Sequence, residues 1–170
     1  MALTPQIPAA PIDNANSYLS LVDARALAEQ YAYDLPVDDA EAEKAIIKGF
    51  RYVESFEGSM CGSRATTIQN TSLPRKNLTI RCESFPSDAI PQEVLIAQVV
   101  AASFAGQGKQ ISGGTNDGLQ VQSKTAGKVS ISYFEGSSST GKLEIPEFDS
   151  VIKPVLCKVS GGMQFKVARV

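Results

Sequence analysis

Between Ser20 and Tyr33, apolar positions recur with helical spacing. Ala24, Leu27, Ala28 and Tyr31 fall at i, i+3, i+4 and i+7 and form one stripe. Ser20 and Asp23 sit three apart as a capping pair, with Leu19 placed to staple against Ala24. This predicts a first helix over about residues 20–33, ending before Asp34-Leu35-Pro36. A second helix is predicted over about 39–57, with Asp38 and Glu41 as its capping pair. Ala42, Ala45, Ile46, Gly49, Val53 and Phe56 line one face, and Glu41, Lys44, Lys48 and Arg51 fall mainly on the other. A third, over about 91–105, opens at Ile90-Pro91 with proline at its first position and Glu93 in its first turn. Its body, VLIAQVVAASFA, is nearly all apolar, so it needs burial on most sides, by its own domain or by a neighbouring subunit.

After Gly106 the period changes to two. Leu119 and Val121 alternate with glutamines, and Val129, Ile131 and Tyr133 with serines, which predicts a hairpin over about 119–135 turning at Thr125-Ala126-Gly127. Two strands alone are marginal in water, so this hairpin is expected to pair with or pack on another subunit. A short helical turn is expected from Pro146 to Ile152, ended by Pro154. Residues 1–16, with Pro5, Pro8 and Pro11, read as an exposed extended arm. Residues 157–170 read as an extended tail in which Met163, Phe165 and Val167 alternate with polar or small residues after Gly161-Gly162. Between the second and third helices lies a long irregular segment, 58–89, and a loop of that length usually has a task or a partner. The expected fold is therefore mainly α. It is a small bundle of three main helices plus a short C-terminal one, with a β-hairpin, in a domain spanning 17–156 between two extended arms.

Composition narrows the chemistry. Hydrophobic residues make up 43% of the 170 and charged residues 20%, enough to bury a core, but tryptophan is absent and that core must be largely aliphatic. The formal charge of −2 lacks the basic excess of an autonomous DNA-binding domain. There is no histidine, which removes the commonest general base at neutral pH. Cys61, Cys82 and Cys157 lie far apart without a CxxC pair, so a four-ligand zinc site within one chain is not expected. The N-terminus has no basic segment followed by an apolar run, and no stretch approaches the roughly 20 apolar residues of a membrane span. A cytosolic chain with free thiols and no membrane partner is expected.

Three local patterns invite a functional reading. Gly136-x-x-x-x-Gly141-Lys142 follows a strand-like run, as in phosphate-binding loops, but Leu143 stands where such a loop needs Ser or Thr for magnesium. Pro146 also disfavours the helix that must begin there, so the segment reads as a flexible loop and no cofactor is expected. The segment from Gly58 to Glu83 holds Arg64, Arg75, Lys76 and Arg81 without an intervening acid. These cations can pair with the acidic helical region, which has nine acids against four bases from Asp23 to Glu57, or they can contact nucleic acid. Little aromatic content lies nearby to stack bases, which favours the first reading. Asp38, Asp39, Glu41 and Glu43 are explained by their place at a helix start, and no convergent base, nucleophile and oxyanion donor is visible. The chain is expected not to be an enzyme.

Taken in order, SYLSLVDARALAEQY, AEKAIIKGFRYVESF, GSRATTIQNTSLPRKN, AIPQEVLIAQVVAA, GKVSISYFE and IPEFDSVIKPVL resemble the head-to-tail adaptor proteins of tailed bacteriophages. The nearest likeness is to the group labelled DnaT-like single-stranded-DNA-binding proteins. The family's Gly-x-Arg is matched by Gly62-Ser63-Arg64, its later glutamine by Gln69, and its Ile-Pro-x-Glu-Val by Ile90 to Val94. Leu73-Pro74-Arg75 departs from the family's Trp-Pro-Arg and removes an aromatic that could stack on a base. The resemblance implies a homo-oligomeric ring, commonly of twelve copies, at the virion neck, binding the portal protein on one side and a tail or nozzle protein on the other. Double-stranded genome DNA would pass through it with transient, non-specific contact. On that reading Arg64, Arg75, Lys76, Met163, Phe165 and Val167 are expected to contact neighbouring subunits or the portal. Asp38, Asp39, Glu41 and Glu43 are expected to face the channel, where negative walls would not grip phosphates. The alternative is a single-stranded-DNA-binding replication accessory protein.

Overall fold

The computed structural model describes residues 2–109, 111, 145–157 and, for the backbone alone, 123–126 and 129–132. The fold is mainly helical, with four α-helices among the described residues: α1 (Leu21–Gln30), α2 (Asp39–Glu54), α3 (Gln92–Gly106) and α4 (Pro146–Ile152). None is long and apolar enough to cross a membrane.

Both predicted caps form. Ser20 Oγ accepts from the Asp23 amide at 3.1 Å, and an Asp38 carboxylate oxygen accepts from the Glu41 amide at 3.0 Å. Helix α1 ends at Gln30, three residues before the predicted bound at 33. Ala32 turns left-handed at φ 56°, and the Tyr33 and Ala32 amides return to the Ala28 and Glu29 carbonyls at 2.8 and 3.2 Å. This is a Schellman closure with alanine where glycine is usual. Helix α2 stops at Glu54 rather than 57, and Phe56 then packs beyond the helix against Phe148 of α4, ring centroids 5.1 Å apart.

Helix α3 is the centre of the core. Val94, Ala97, Val99, Val100, Ala101, Ala102 and Ala105 are all buried, and α1, α2, α4 and the 3-10 turn Lys153–Val155 pack around it. Its burial is thus supplied by its own chain. The most extensive contact is with α2, and Gly49 makes it possible. A Cβ there would lie 2.5 Å from the Gln98 carbonyl oxygen and 2.8 Å from the Ala102 amide nitrogen. The buried Gln98 side chain is satisfied within the core: Oε1 accepts from the Tyr18 amide at 3.1 Å, and Nε2 donates to Ser17 Oγ at 2.8 Å and to the Ile46 carbonyl at 3.3 Å.

Two expectations are corrected here. The N-terminal residues, expected as an exposed arm, fold back onto the domain. Gln6 donates its amide proton to the Ser17 carbonyl at 2.8 Å and is itself buried, its Nε2 donating to Thr71 Oγ1 at 2.6 Å. Prolines prevented a helix there, yet polar side chains supply the missing hydrogen bonds. The cysteines expected as free thiols include one bonded pair. Cys61 and Cys157, 96 residues apart, form a disulfide with a Cα–Cα distance of 4.8 Å, while Cys82 is free and exposed.

The segment between α2 and α3 is ordered by two short antiparallel ladders. Strand β1 (Ser63–Arg64) pairs with β2 (Arg75–Lys76), and β3 (Thr79–Ile80) with β4 (Glu83–Ser84). Strands β5 (Ser123–Ala126) and β6 (Val129–Ser132) form the predicted hairpin with Ala126 opposite Val129. Thr125 and Ala126, expected in the turn, are therefore strand residues, and Gly127 lies outside the described residues. The expected positions Leu119, Val121 and Tyr133 and the glycine loop at 136–144 lie outside the described residues.

Two substitutions should move stability in opposite directions. Gly49→Ala forces α2 and α3 apart and should cost about 1–3 kcal/mol. Ala32→Gly removes the left-handed penalty and should add roughly 0.5–1 kcal/mol. Urea unfolding followed by circular dichroism measures both, and equal midpoints for the two variants would contradict the packing described.

Candidate functional site

Of the residues that carried chemical interest in the sequence, Gly62, Arg64, Gln69, Pro74 and Arg75 lie together in the loop that follows α2. Gly62 takes φ +75°, and a Cβ on it would meet the Lys76 carbonyl oxygen at 2.2 Å, so only glycine lets β1 lie against β2. Gln69 is buried. Its Oε1 accepts from the Thr66 amide at 2.9 Å and its Nε2 donates to the Thr71 and Pro74 carbonyls at 2.9 and 3.0 Å. The Leu73–Pro74 bond is cis, and Leu73 is fully buried in the core.

The two arginines of this segment have different environments. Arg64 is exposed and grips Glu57 with both faces of its fork, Nε to Oε1 at 2.6 Å and Nη2 to Oε2 at 2.8 Å. That pairing holds the Glu57 carboxyl below the usual glutamate range. Arg75, expected as a contact to a neighbouring subunit or the portal, is instead buried at 6% exposure. Its guanidinium donates to the carbonyls of Cys61 and Gly62 at 2.7 Å each, of Ser72 at 3.2 Å and of Met60 at 3.4 Å. Burial lowers its pKa, and nearby Glu57 opposes that shift. A guanidinium with five donors can satisfy several loop carbonyls at once, which explains why a charged residue sits inside. Lys76 is exposed, and Arg81 lies 3.2 Å from Glu93 on α3.

Beneath this loop is a carboxylate that sequence reading passed over. Glu54, on the last turn of α2, accepts from the Tyr18 hydroxyl, from Ser72 Oγ at 2.7 Å and from the Ser72 amide at 2.8 Å. The Leu73 amide in turn donates to the Tyr18 oxygen at 3.2 Å. Burial raises the pKa of Glu54, partly opposed by these hydrogen bonds, and burial together with the Glu54 charge pushes the Tyr18 hydroxyl well up. One signal was present in the sequence: Glu54 continues the column Ile46–Phe50 at i+4, so a charge stands in line with two core residues.

The acids of the α2 start are spread along its outer surface. Asp38 caps the helix, Asp39 meets Arg25 at 2.6 Å, Glu41 meets Lys44 at 2.7 Å, and Glu43 is half-buried. They do not join Arg64, Arg75 or Lys76 in one site. Met163, Phe165 and Val167 lie outside the described residues. No group of three or more potential metal ligands occurs among the described residues.

The buried ionic groups make two predictions. Arg75→Met should cost about 3 kcal/mol, because it strands several buried carbonyls, and Arg75→Lys should recover little, since an ammonium lacks the planar fork. For Glu54 the sign follows from its raised pKa. The folded state binds the proton more tightly than the unfolded chain, so the contribution of Glu54 is fully present below the unfolded pKa and lost as pH rises through the folded value. Between pH 4.5 and 7, wild-type stability should therefore fall relative to Glu54→Gln, a trend read from denaturation curves at several pH values (roughly the range set by glutamate's ordinary pKa).

Gly62, Gln69, Pro74 and Arg75 thus act as the internal framework of one loop, while its exposed Arg64 and Arg81 are matched by Glu57 and Glu93 of the same chain. Residues 9–170 match the model of the family described as "Putative DnaT-like ssDNA binding protein". No curated protein and no solved structure matches the chain. With nearly its whole length covered by that family model, the chain belongs to the putative DnaT-like ssDNA binding protein family.

Proposed function

We propose that this member of the family is a structural, non-enzymatic adaptor of a tailed-phage neck. Copies would form a ring, commonly of twelve, seated on the portal protein at the capsid vertex and joined on its other side to a tail or nozzle protein. The observation that supports this most is how the charges are used. Arg25, Arg64 and Arg81 are ion-paired within the chain and Arg75 is buried on carbonyls, so four of the five arginines among the described residues are already engaged. Aromatic rings are likewise drawn inward: Tyr18 packs on Phe50, and Tyr52 on both Phe56 and Phe148. Tyr31, at 38% exposure, is the one aromatic among the described residues that ranks as exposed, which is a poor stacking platform for single strands.

In such a ring the start of α2 would face the channel. Asp38, Asp39, Glu41 and Glu43 set four carboxylates against two cations, Arg25 and Lys44, a surface that lets duplex DNA slide with only transient contact. Met163, Phe165 and Val167 would dock on the portal by strand addition. A second reading, a single-stranded-DNA-binding replication accessory protein, is favoured by the family's description and by Lys48 and Arg51. These two exposed cations on the outer face of α2 have no ion-pair partner among the described residues.

Mixing the purified chain with its cognate portal ring should give a stable ring-on-ring complex visible by electron microscopy and native mass spectrometry. Deleting residues 161–170 should abolish it while the circular dichroism spectrum is retained. Fluorescence anisotropy with a labelled single strand should show weak binding that Lys48→Glu/Arg51→Glu barely changes. Tight, salt-sensitive binding lost in that double variant, with no portal complex, would establish the second reading instead.

A further inference from the structure

The junction between the α2–α3 loop and the C-terminal end of the described fold contains a device that the adaptor reading does not use and that stands independently of it. Met60 and Leu156 form an isolated antiparallel bridge. The Cys157 amide donates to the Ser59 carbonyl at 2.8 Å, and the Cys61 amide donates to the Val155 carbonyl at 3.3 Å. The disulfide between Cys61 and Cys157 closes this short ladder from the outside. We propose that this bond is a redox-operated latch, which fastens residues 156–157 to residues 59–61 when oxidised and releases them when reduced, without unfolding the domain.

The two sides of the junction are held unequally. Residues 60–62 are gripped from behind, since Arg75 donates to the carbonyls of Met60, Cys61 and Gly62. Ile152 and Val155 are fully buried, which anchors the chain as far as residue 155. Leu156 is half-buried against the core and Cys157 is exposed, so among the described residues beyond Val155 that one side chain, the two-amide ladder and the disulfide hold the chain. Two ladder bonds, each worth about 1 kcal/mol net, and one half-buried leucine hold residues 156–157 weakly, whereas a covalent bond fixes them. Opening it therefore frees a small segment and leaves the helices in place. Cys157 is an exposed residue, which places its end of the bond at the surface where an attacking thiolate arrives.

The chemistry balances as ordinary thiol–disulfide exchange. The Cys61 and Cys157 thiols give up two electrons and two protons to an oxidised low-molecular-weight disulfide, which leaves as two thiols. A dithiol reductant reverses the step, becoming a cyclic disulfide while both cysteines regain their protons. In a compartment held reducing by glutathione-type thiols the latch stands open, and in an oxidising one it closes. Cys82, exposed and unbonded, is the third thiol and takes no part.

Full-length protein would be equilibrated with glutathione disulfide or with dithiothreitol, alkylated, and digested for mass spectrometry. After oxidation Cys61 and Cys157 are expected in one cross-linked peptide, with Cys82 alkylated or carrying glutathione, and after reduction all three cysteines are alkylated. Hydrogen exchange on the same two samples should be about tenfold or more faster on reduction in peptides covering 59–61 and 155–157, with α2 and α3 unchanged. Cys82→Ser should keep this difference, and Cys61→Ser should exchange as the reduced protein does under both conditions. Three alkylated cysteines after oxidation would overturn the proposal. So would equal exchange in the two states, or acceleration that extends through the helices, since the bond would then be absent, inert or a staple of the whole fold.

Discussion

A helix buried on nearly every side has no water to satisfy its side chains or cushion its neighbours, and α3 imposes that constraint on the rest of this fold. Its backbone bonds are internal, so the demands fall on packing distance and on its one large buried polar side chain, Gln98. Gly49 meets the first by letting α2 approach to van der Waals contact with the α3 backbone. Ser17, the Tyr18 amide and the Ile46 carbonyl meet the second. The residues that satisfy Gln98 lie just before α1 and within α2, so its hydrogen bonds also fix where the chain enters the bundle. Changing the α2–α3 spacing would disturb that entry point as well as the apolar contact.

From that entry point a second polar chain runs outward. Tyr18 follows Ser17, and its hydroxyl reaches Glu54 and Ser72, which links the α1 entry to the end of α2 and to the loop beyond it. Buried carboxylates are costly unless every lone pair finds a donor, and Glu54 has three donors from two segments. Because those donors come from parts of the chain far apart in sequence, the network forms only when α2, the loop and the N-terminal residues are all in place. Arg75 extends the same logic by gathering carbonyls of residues 60–62 and 72 around one guanidinium. The loop is irregular in secondary structure yet well determined, because side chains do the work that ladders do elsewhere.

The helices were legible because their period, caps and breakers are local. Ser20, Asp38, the Ile90-Pro91 start and the Pro146–Ile152 turn are encoded within a few residues of where they act, and the structure places elements there. What escaped was encoded non-locally. Gln6 reaches Thr71 across 65 residues and the disulfide spans 96, and neither distance leaves a mark in a window of a dozen residues. Ala32 misled for a different reason: alanine signals continuation of a helix, and only the returning amides of the Schellman closure show that it ends one. The arginines of the loop were legible as a group but not individually. Sequence shows charge and not depth, so Arg64 at the surface and Arg75 inside looked alike.

This difference in depth bears on how the family's motif should be understood. If Gly62, Gln69, Pro74 and Arg75 are the frame of a loop, their presence reports that the loop is built and says little about what it touches. This chain carries all four beside Leu73, and the leucine fills a fully buried core position that asks for apolar volume. A base-stacking platform has to lie at the surface, where Leu73 is not. Its place in the core shows that Leu73 serves packing, so the loop's irregular course is set from within by this leucine and the buried Gln69 and Arg75.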